Sequence, residues 1–190
     1  ERCREVLVFP GIQIIDGQAQ DNALLKQAMS GVDAVINLVG VLHNDHQAFR
    51  RLHVELPAQI NAAAYATGVR RILHMSAINA HAEKGPSHYL RSKGSGEDNA
   101  HAGAAVGLQV TSFRPSVIFG PGDNFYNRFA RLHRFFPVLP LAMPHAAFAP
   151  IYVGDVARAM LATLDDKTSY GQRYDLCGPR TYTLQQISAY

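Results

Sequence analysis

Four short apolar runs, AVINLVG (34–40), RILHMSA (71–77), VTSFRPSVIFG (110–120) and IYVGDVARAML (151–161), recur along the chain with longer segments of helical period between them. A strand apolar on both faces has no solvent side to mark with polar residues, so it belongs between two helix layers. The alternation therefore predicts βαβ units and an α/β fold with a doubly wound parallel sheet. GIQII (11–15) reads as one further strand. DNALLKQAMSG (21–31) reads as a helix that Asp21 caps and Gly31 closes. Residues 45–70 read as a single helix with a stripe of Phe49, Leu52, Leu56, Ile60 and Ala63, bent at Pro57.

After FGPGD (119–123) the texture changes to prolines and aromatics, including Pro137, Pro140, Pro144 and Pro150, which suits a loop-rich element over the carboxyl edge of the sheet. Two regions are expected: 1–120 as a nucleotide-binding domain, and 121–190 as a mixed substrate-side region from which 151–164 returns a strand and helix to the main sheet. At 190 residues and 47% hydrophobic, the chain can bury a sizeable core. The net charge of +3 is spread in ones and twos, so no nucleic-acid stripe is present. The same prolines interrupt the most apolar stretch, which excludes an unbroken spanning helix there. Cys3 and Cys177 stand far apart without metal-ligand neighbours and suit a reducing cytoplasm.

The chemistry concentrates in SHYLRSKGSGE (87–97). Tyr89 and Lys93, one helical turn apart, share a face. A phenol with a reference pKa near 10 is a poor proton acceptor at neutral pH. An ammonium about 4 Å away, at an effective dielectric near 20, offers about 4 kcal/mol of stabilisation to the phenolate, or about three pK units before screening. Ser76, at the end of the preceding strand, can face the same crevice, so Ser76, Tyr89 and Lys93 form a candidate catalytic set for proton exchange with a hydroxyl or carbonyl. The plain alternative is a tyrosine packed on the sheet beside a solvated lysine. Hydride would have to go to a nicotinamide cofactor.

Other positions have two readings each. His43 and His46 suggest a metal pair, but no third ligand is near, and no metal is expected. Asp155 reads as a helix cap, and Arg114 as either an anion contact or a buried ion pair. FYNRFARLHRFF (125–136) reads as a helix packed over the crevice, or as a basic amphipathic helix resting on an anionic membrane or a partner.

In order along the chain, GVDAVINLVG, GVRRILHMSA, YLRSK, FRPSVIFGPGD, IYVGDVARAM and GQRYDLCGPRTYTLQQI resemble the extended and atypical short-chain dehydrogenase/reductase superfamily, in its NAD-dependent epimerase/dehydratase-like part. HVE (53–55), MSAINA (75–80) and YLRSKGSGE (89–97) are most similar to the branch of NAD(P)-binding accessory subunits of respiratory complex I and their bacterial relatives. The resemblance implies a Rossmann-like sheet binding NAD or NADP. It implies that Asn37, Val39 and Gly40 line the dinucleotide, that Tyr89 and Lys93 also contact the nicotinamide ribose, and that Pro115, Ser116 and Val117 lie beside the nicotinamide. Three departures stand out: MSA leaves open whether Ser76 or Ala77 holds the serine place, His53 stands where many members have asparagine, and Gln18 or Asp16 stands where an acidic residue commonly meets adenine.

The glycine fingerprint that receives the pyrophosphate at a helix N-terminus is not in the sequence. An N-terminal βα unit, and a piece after Tyr190, are therefore expected to lie outside it. The function expected is an NAD(P)-binding oxidoreductase acting on an unknown small molecule, cytoplasmic or peripheral to the membrane, with a link to respiratory complex I or quinone metabolism. The alternatives are a non-catalytic accessory or assembly subunit, and a nucleotide-sugar epimerase or dehydratase.

Overall fold

The computed structural model of the protein describes residues 9–42, 45–123 and 143–188. Asp21 starts the first helix: its carboxylate accepts from the Ala23 and Leu24 amides at 2.9 and 3.2 Å, satisfying N–H groups that a helix leaves unpaired at its start. This helix, α1 (Asn22–Met29), gives way through Gly31, at φ +74°, to strand β1 (Ala34–Asn37). The next segment is not the one bent helix expected. α2 (His46–Phe49) runs into a π-helical turn, Arg50–Glu55, and then into α3 (Leu56–Thr67), closed by Gly68 at φ +83°. Pro57 has no amide proton, so the carbonyl four residues before it, that of His53, cannot receive an α-helical bond. The chain widens into the π turn over the stretch containing that carbonyl.

Strand β2 (Arg71–Met75) follows, then α4 (His88–Ala102), whose Ser87 cap accepts from the Leu90 amide. After β3 (Gln109–Pro115) come β4 (Ile118–Phe119), β5 (Ala147–Phe148), β6 (Ile151–Tyr152), α5 (Val153–Thr163), β7 (Arg173–Leu176), β8 (Tyr182–Thr183) and α6 (Leu184–Ser188). The main sheet is parallel throughout, in the order β1-β2-β3-β7. Small two-stranded pairs, β4 with β6 and β5 with β8, stand beside it.

Three expectations are corrected. Residues 11–15 carry no strand; Ile12, Ile14 and Ile15 are exposed, and without a partner a strand leaves its amides and carbonyls unpaired. The strand expected to return to the main sheet from 151 pairs instead with β4, and β7 supplies the fourth main strand. Its sequence, RYDL, alternates exposed and half-buried residues, as suits the edge of a sheet, so it lacks the continuous apolar run used to find the others. Helix α5 starts three residues earlier than Asp155 would cap it. Tyr152 holds the cap position, and Asp155 sits in the first turn paired with Arg158, where its charge opposes the helix dipole favourably.

Two apolar clusters cover the two faces of the sheet. Met29, Leu56, Ile60, Ala64, Ile72, Ala100 and Val110 join α1, α3 and α4 to one face. Leu73, Phe113, Ile151, Val156 and Met160 join α5 to the other. Arg71, only 5% exposed, ties β2 to α5 without any carboxylate: its guanidinium donates to the Thr163 and Leu164 carbonyls at the end of α5, to the Gln109 carbonyl, and to Thr111 and Ser169. The planar fork of five donors satisfies a helix C-terminus and a strand carbonyl together, and the positive charge suits the negative end of the helix dipole.

Candidate active site at the carboxyl edge of the sheet

Parallel pairing places the ends of β1, β2 and β3 at one side, with Asn37 opposite His74 and Met75 opposite Phe113. The residues that follow each strand, Val39 and Gly40, Ser76, and Ser116 and Val117, therefore emerge at the same carboxyl edge. Helix α4 is drawn onto this edge by Lys93, whose buried ammonium donates to the Met75 carbonyl at 2.5 Å. Tyr89, one turn earlier and half-buried, meets the rings of His53 and Phe49 edge-on, with centroids 5.6 and 6.2 Å apart. Gly40 faces this group: a Cβ there would stand 3.6 Å from His53 Nε2 and 3.8 Å from Lys93 Nζ, an ordinary contact distance. Without that Cβ, the backbone beside Lys93 is open to close approach by a ligand.

Burial pulls the Lys93 ammonium down to about 8, opposed by the charge of Glu97. Burial also pushes the Tyr89 phenol above its ordinary value. Burial thus moves the phenol upward, against the lowering that the Tyr89 and Lys93 spacing leads one to expect, while the ammonium donates to a strand carbonyl.

Ser76 turns its hydroxyl away from these two. It donates to Glu97 Oε2 at 3.2 Å, and Glu97, fully buried, accepts from Arg114 Nε at 3.0 and 2.9 Å. Arg114 thus takes the ion-pair role of its two readings, with Asp175 at 4.0 Å as a second, exposed carboxylate. Glu97 stands four residues after Lys93, as Lys93 stands four after Tyr89, so the helical spacing already carried this third polar group on one face.

Asn37, expected to line the dinucleotide, is buried behind the turn that follows β1. Its Oδ1 accepts from the Val39 amide at 3.1 Å, which leaves Nδ2 to donate to His74 Nδ1 at 3.2 Å. The His74 proton then sits on Nε2, a buried atom with no partner among the described residues. Pro115 is likewise buried, its carbonyl accepting from the Ile78 amide; Ser116 and Val117 are half-buried at the edge.

The approach of α4 to the π turn is closer than any side chain allows. A Cβ on Gly96 would stand 1.8 Å from the His53 carbonyl oxygen, and one on Gly94 would stand 2.4 Å from the backbone of His81 and Ala82. Gly96→Ala is therefore expected to destabilise the protein by about 3 kcal/mol or more, since backbone must move to admit the methyl. Urea unfolding of the variant beside the parent measures this. An unchanged midpoint would show that the two helices separate freely.

A second concavity, of about 570 Å³, lies beside β6 and the chain after β7, lined by Phe119, Tyr152, Cys177, Arg180, Tyr182 and Ile187. Phe119 and Tyr152 come from the apolar runs at 110–120 and 151–161, and the others from the chain after β7. Among the described residues no cluster of three His, Cys, Asp or Glu forms a metal site, and His46 lies against the ring of His88 at 4.3 Å. His43, Cys3 and the 125–136 segment lie outside the described residues. No described helix is long and apolar enough to cross a membrane.

The NAD dependent epimerase/dehydratase family matches residues 2–177. The chain is similar to the Mus musculus protein NADH dehydrogenase (ubiquinone) 1 alpha subcomplex subunit 9, mitochondrial, at 31% identity over 182 residues, covering 94% of this chain and 47% of that protein. It is similar to a ceramide reductase of Caulobacter vibrioides at 30% identity over 152 residues, covering 80% of this chain and 46% of that one. Among solved structures, the dTDP-glucose 4,6-dehydratase DesIV double mutant of Streptomyces venezuelae, with NAD bound, superposes at a TM-score of 0.86 and 21% identity, over 100% of this chain and 66% of that chain. The chain spans about half the length of the curated relatives it matches.

Proposed function

The chain belongs to the NAD dependent epimerase/dehydratase family, and from that premise we propose that it forms the nicotinamide side of the active site of a short-chain dehydrogenase/reductase-type oxidoreductase. Tyr89 passes a proton to or from a substrate hydroxyl or carbonyl. Lys93 supports the charge on the phenol and contacts the nicotinamide ribose. Val39 and Gly40 on one side, and Pro115, Ser116 and Val117 on the other, face the dinucleotide. The observation that carries this reading is the placement of the Lys93 ammonium at the carboxyl end of β2 with the side-chain-free Gly40 beside it.

NAD or NADP, when bound, supplies the acceptor or donor of hydride. The protein side of the step is proton management. Phe49 and His53 shield the Tyr89 ring from water, which strengthens any charge placed next to the phenol. Ser76 reaches a substrate oxygen only by rotating away from Glu97, so its contribution is expected to be smaller than that of Tyr89.

The test uses the full-length protein. NADH and NADPH are titrated by nicotinamide fluorescence, and the reduced-nicotinamide absorbance is then followed with aldehydes and ketones. Binding with a substrate-dependent absorbance change supports the oxidoreductase. Tight binding without turnover supports the second reading, an accessory subunit that keeps the nucleotide as a structural element and docks on a respiratory complex. That reading is favoured by the elevated Tyr89 phenol and by the similarity to the complex I subunit. Turnover of a nucleotide sugar without net absorbance change would support an epimerase or dehydratase.

A further inference from the structure

We propose that His53 is a positioning residue for dinucleotide binding, clamping the turn after β1 to the Tyr89 end of α4 through a hydrogen-bond chain of one polarity. The inference rests on the dinucleotide reading above and adds a residue to it. The Val41 amide donates to His53 Nε2 at 3.0 Å. A backbone amide only donates, so Nε2 must hold a lone pair and the neutral ring carries its proton on Nδ1. That proton goes to Ser92 Oγ at 2.8 Å, and the serine hydroxyl in turn donates to the Tyr89 carbonyl at 2.8 Å. Three bonds join three elements, and reversing any one of them would set two donors or two acceptors face to face.

The ring is held as firmly as the bonds. It is 2% exposed, stacked on Phe49 at 5.2 Å and met edge-on by Tyr89. Its backbone lies in the π turn, a conformation found frequently at functional sites. The carbonyl of His53 faces Gly96, and the carbonyl of Val54 accepts from Asn99 Nδ2 at 2.8 Å, so α4 is shaped to take both. At the other end of the turn Asn37 Oδ1 holds the Val39 amide. Two side chains from different elements thus pin residues 39 and 41 and leave Gly40 between them open beside Lys93.

The clamp works only while the ring is neutral. Lys93 of α4 and His74 of β2 face it, Arg50, Arg51 and Glu55 lie on its own turn, and the Val39–Val41 turn has no titratable side chain. Burial first and the Lys93 charge second hold the imidazole down at about 4.

The test compares His53→Leu, which removes both bonds, with His53→Gln, whose amide oxygen and NH₂ group repeat the acceptor and donor order. Both are made in the full-length protein, with Val41 amide hydrogen exchange and the NADH Kd as readouts. His53→Leu is expected to speed Val41 exchange and to raise the Kd, each by at least tenfold, while His53→Gln returns both to within about threefold of the parent. A folded His53→Leu protein whose Kd stays within threefold overturns the proposal, as does a His53→Gln protein no better than His53→Leu. Where His53→Leu does not fold, Ser92→Ala cuts the same chain at its second link; a Kd unchanged in Ser92→Ala overturns it equally. A parent that binds neither NADH nor NADPH sinks the dinucleotide reading and this role with it, whereas Val41 exchange unaffected by His53→Leu sinks the clamp alone.

Discussion

Tyr89→Phe is expected to lower the turnover of the full-length protein by roughly 10²- to 10⁴-fold, the range general acid–base catalysis supplies, while the dinucleotide Kd stays within a few-fold. The separation is expected because of what the phenol does and does not do in this structure. Its ring packs against Phe49 and His53, and phenylalanine keeps those contacts. Its hydroxyl has no hydrogen-bond partner among the described residues, so removing it leaves no buried group stranded and the fold should be unaffected. The loss is then confined to proton transfer. Steady-state rates and a fluorescence titration of the same preparation check it. Parent-like turnover in Tyr89→Phe would remove the acid/base role and leave the accessory-subunit reading.

The second large effect is on stability against acid. Burial pulls His74 down to about 3, so the folded protein keeps it neutral while the unfolded chain protonates it near 6.5. The unfolded state therefore binds more protons below pH 6.5. Stability from this group is fully present above that pH and is lost as the pH falls toward 3, at about 1.4 kcal/mol per pH unit. Across the whole window His74 alone accounts for up to about 5 kcal/mol, a large share of the stability of an ordinary domain. His53 and His101, both held at about 4 by burial, act in the same direction over the upper part of the window. Urea unfolding at pH 7, 6 and 5 should show the decline. In His74→Asn, whose amide oxygen can still accept from Asn37, the decline should be shallower by the His74 share. Equal slopes in parent and variant would mean that the acid sensitivity comes from elsewhere.

Both effects arise from residues whose legibility differed. Tyr89 and Lys93 were readable because their spacing is a local property of a helix, and the Ser87 cap and the α4 span agree with it. The buried strands β1, β2 and β3 were readable because enclosure between two layers demands apolar residues on both faces. β7 was missed for the converse reason: an edge strand tolerates Arg173 and Asp175 on its open side. The 11–15 run was misread because β propensity alone does not supply a partner. The π turn was hidden because Pro57 announces a break in the α-helical ladder but not how the chain takes it up.

The sequence by itself determined the fold class, the buried strands β1, β2 and β3 and the face shared by Tyr89 and Lys93, since a continuous apolar run and a period of 3.6 residues are properties that a short window contains. Only the tertiary structure decided which partner each polar group takes: Ser76 with Glu97, Asn37 with His74, His53 with the Val41 amide, Lys93 with the Met75 carbonyl. Those pairs join residues that lie 12 to 37 positions apart along the chain. Most buried donors find an acceptor, but which one comes within hydrogen-bonding distance is fixed by how sheet and helices pack, and no local pattern encodes that distance.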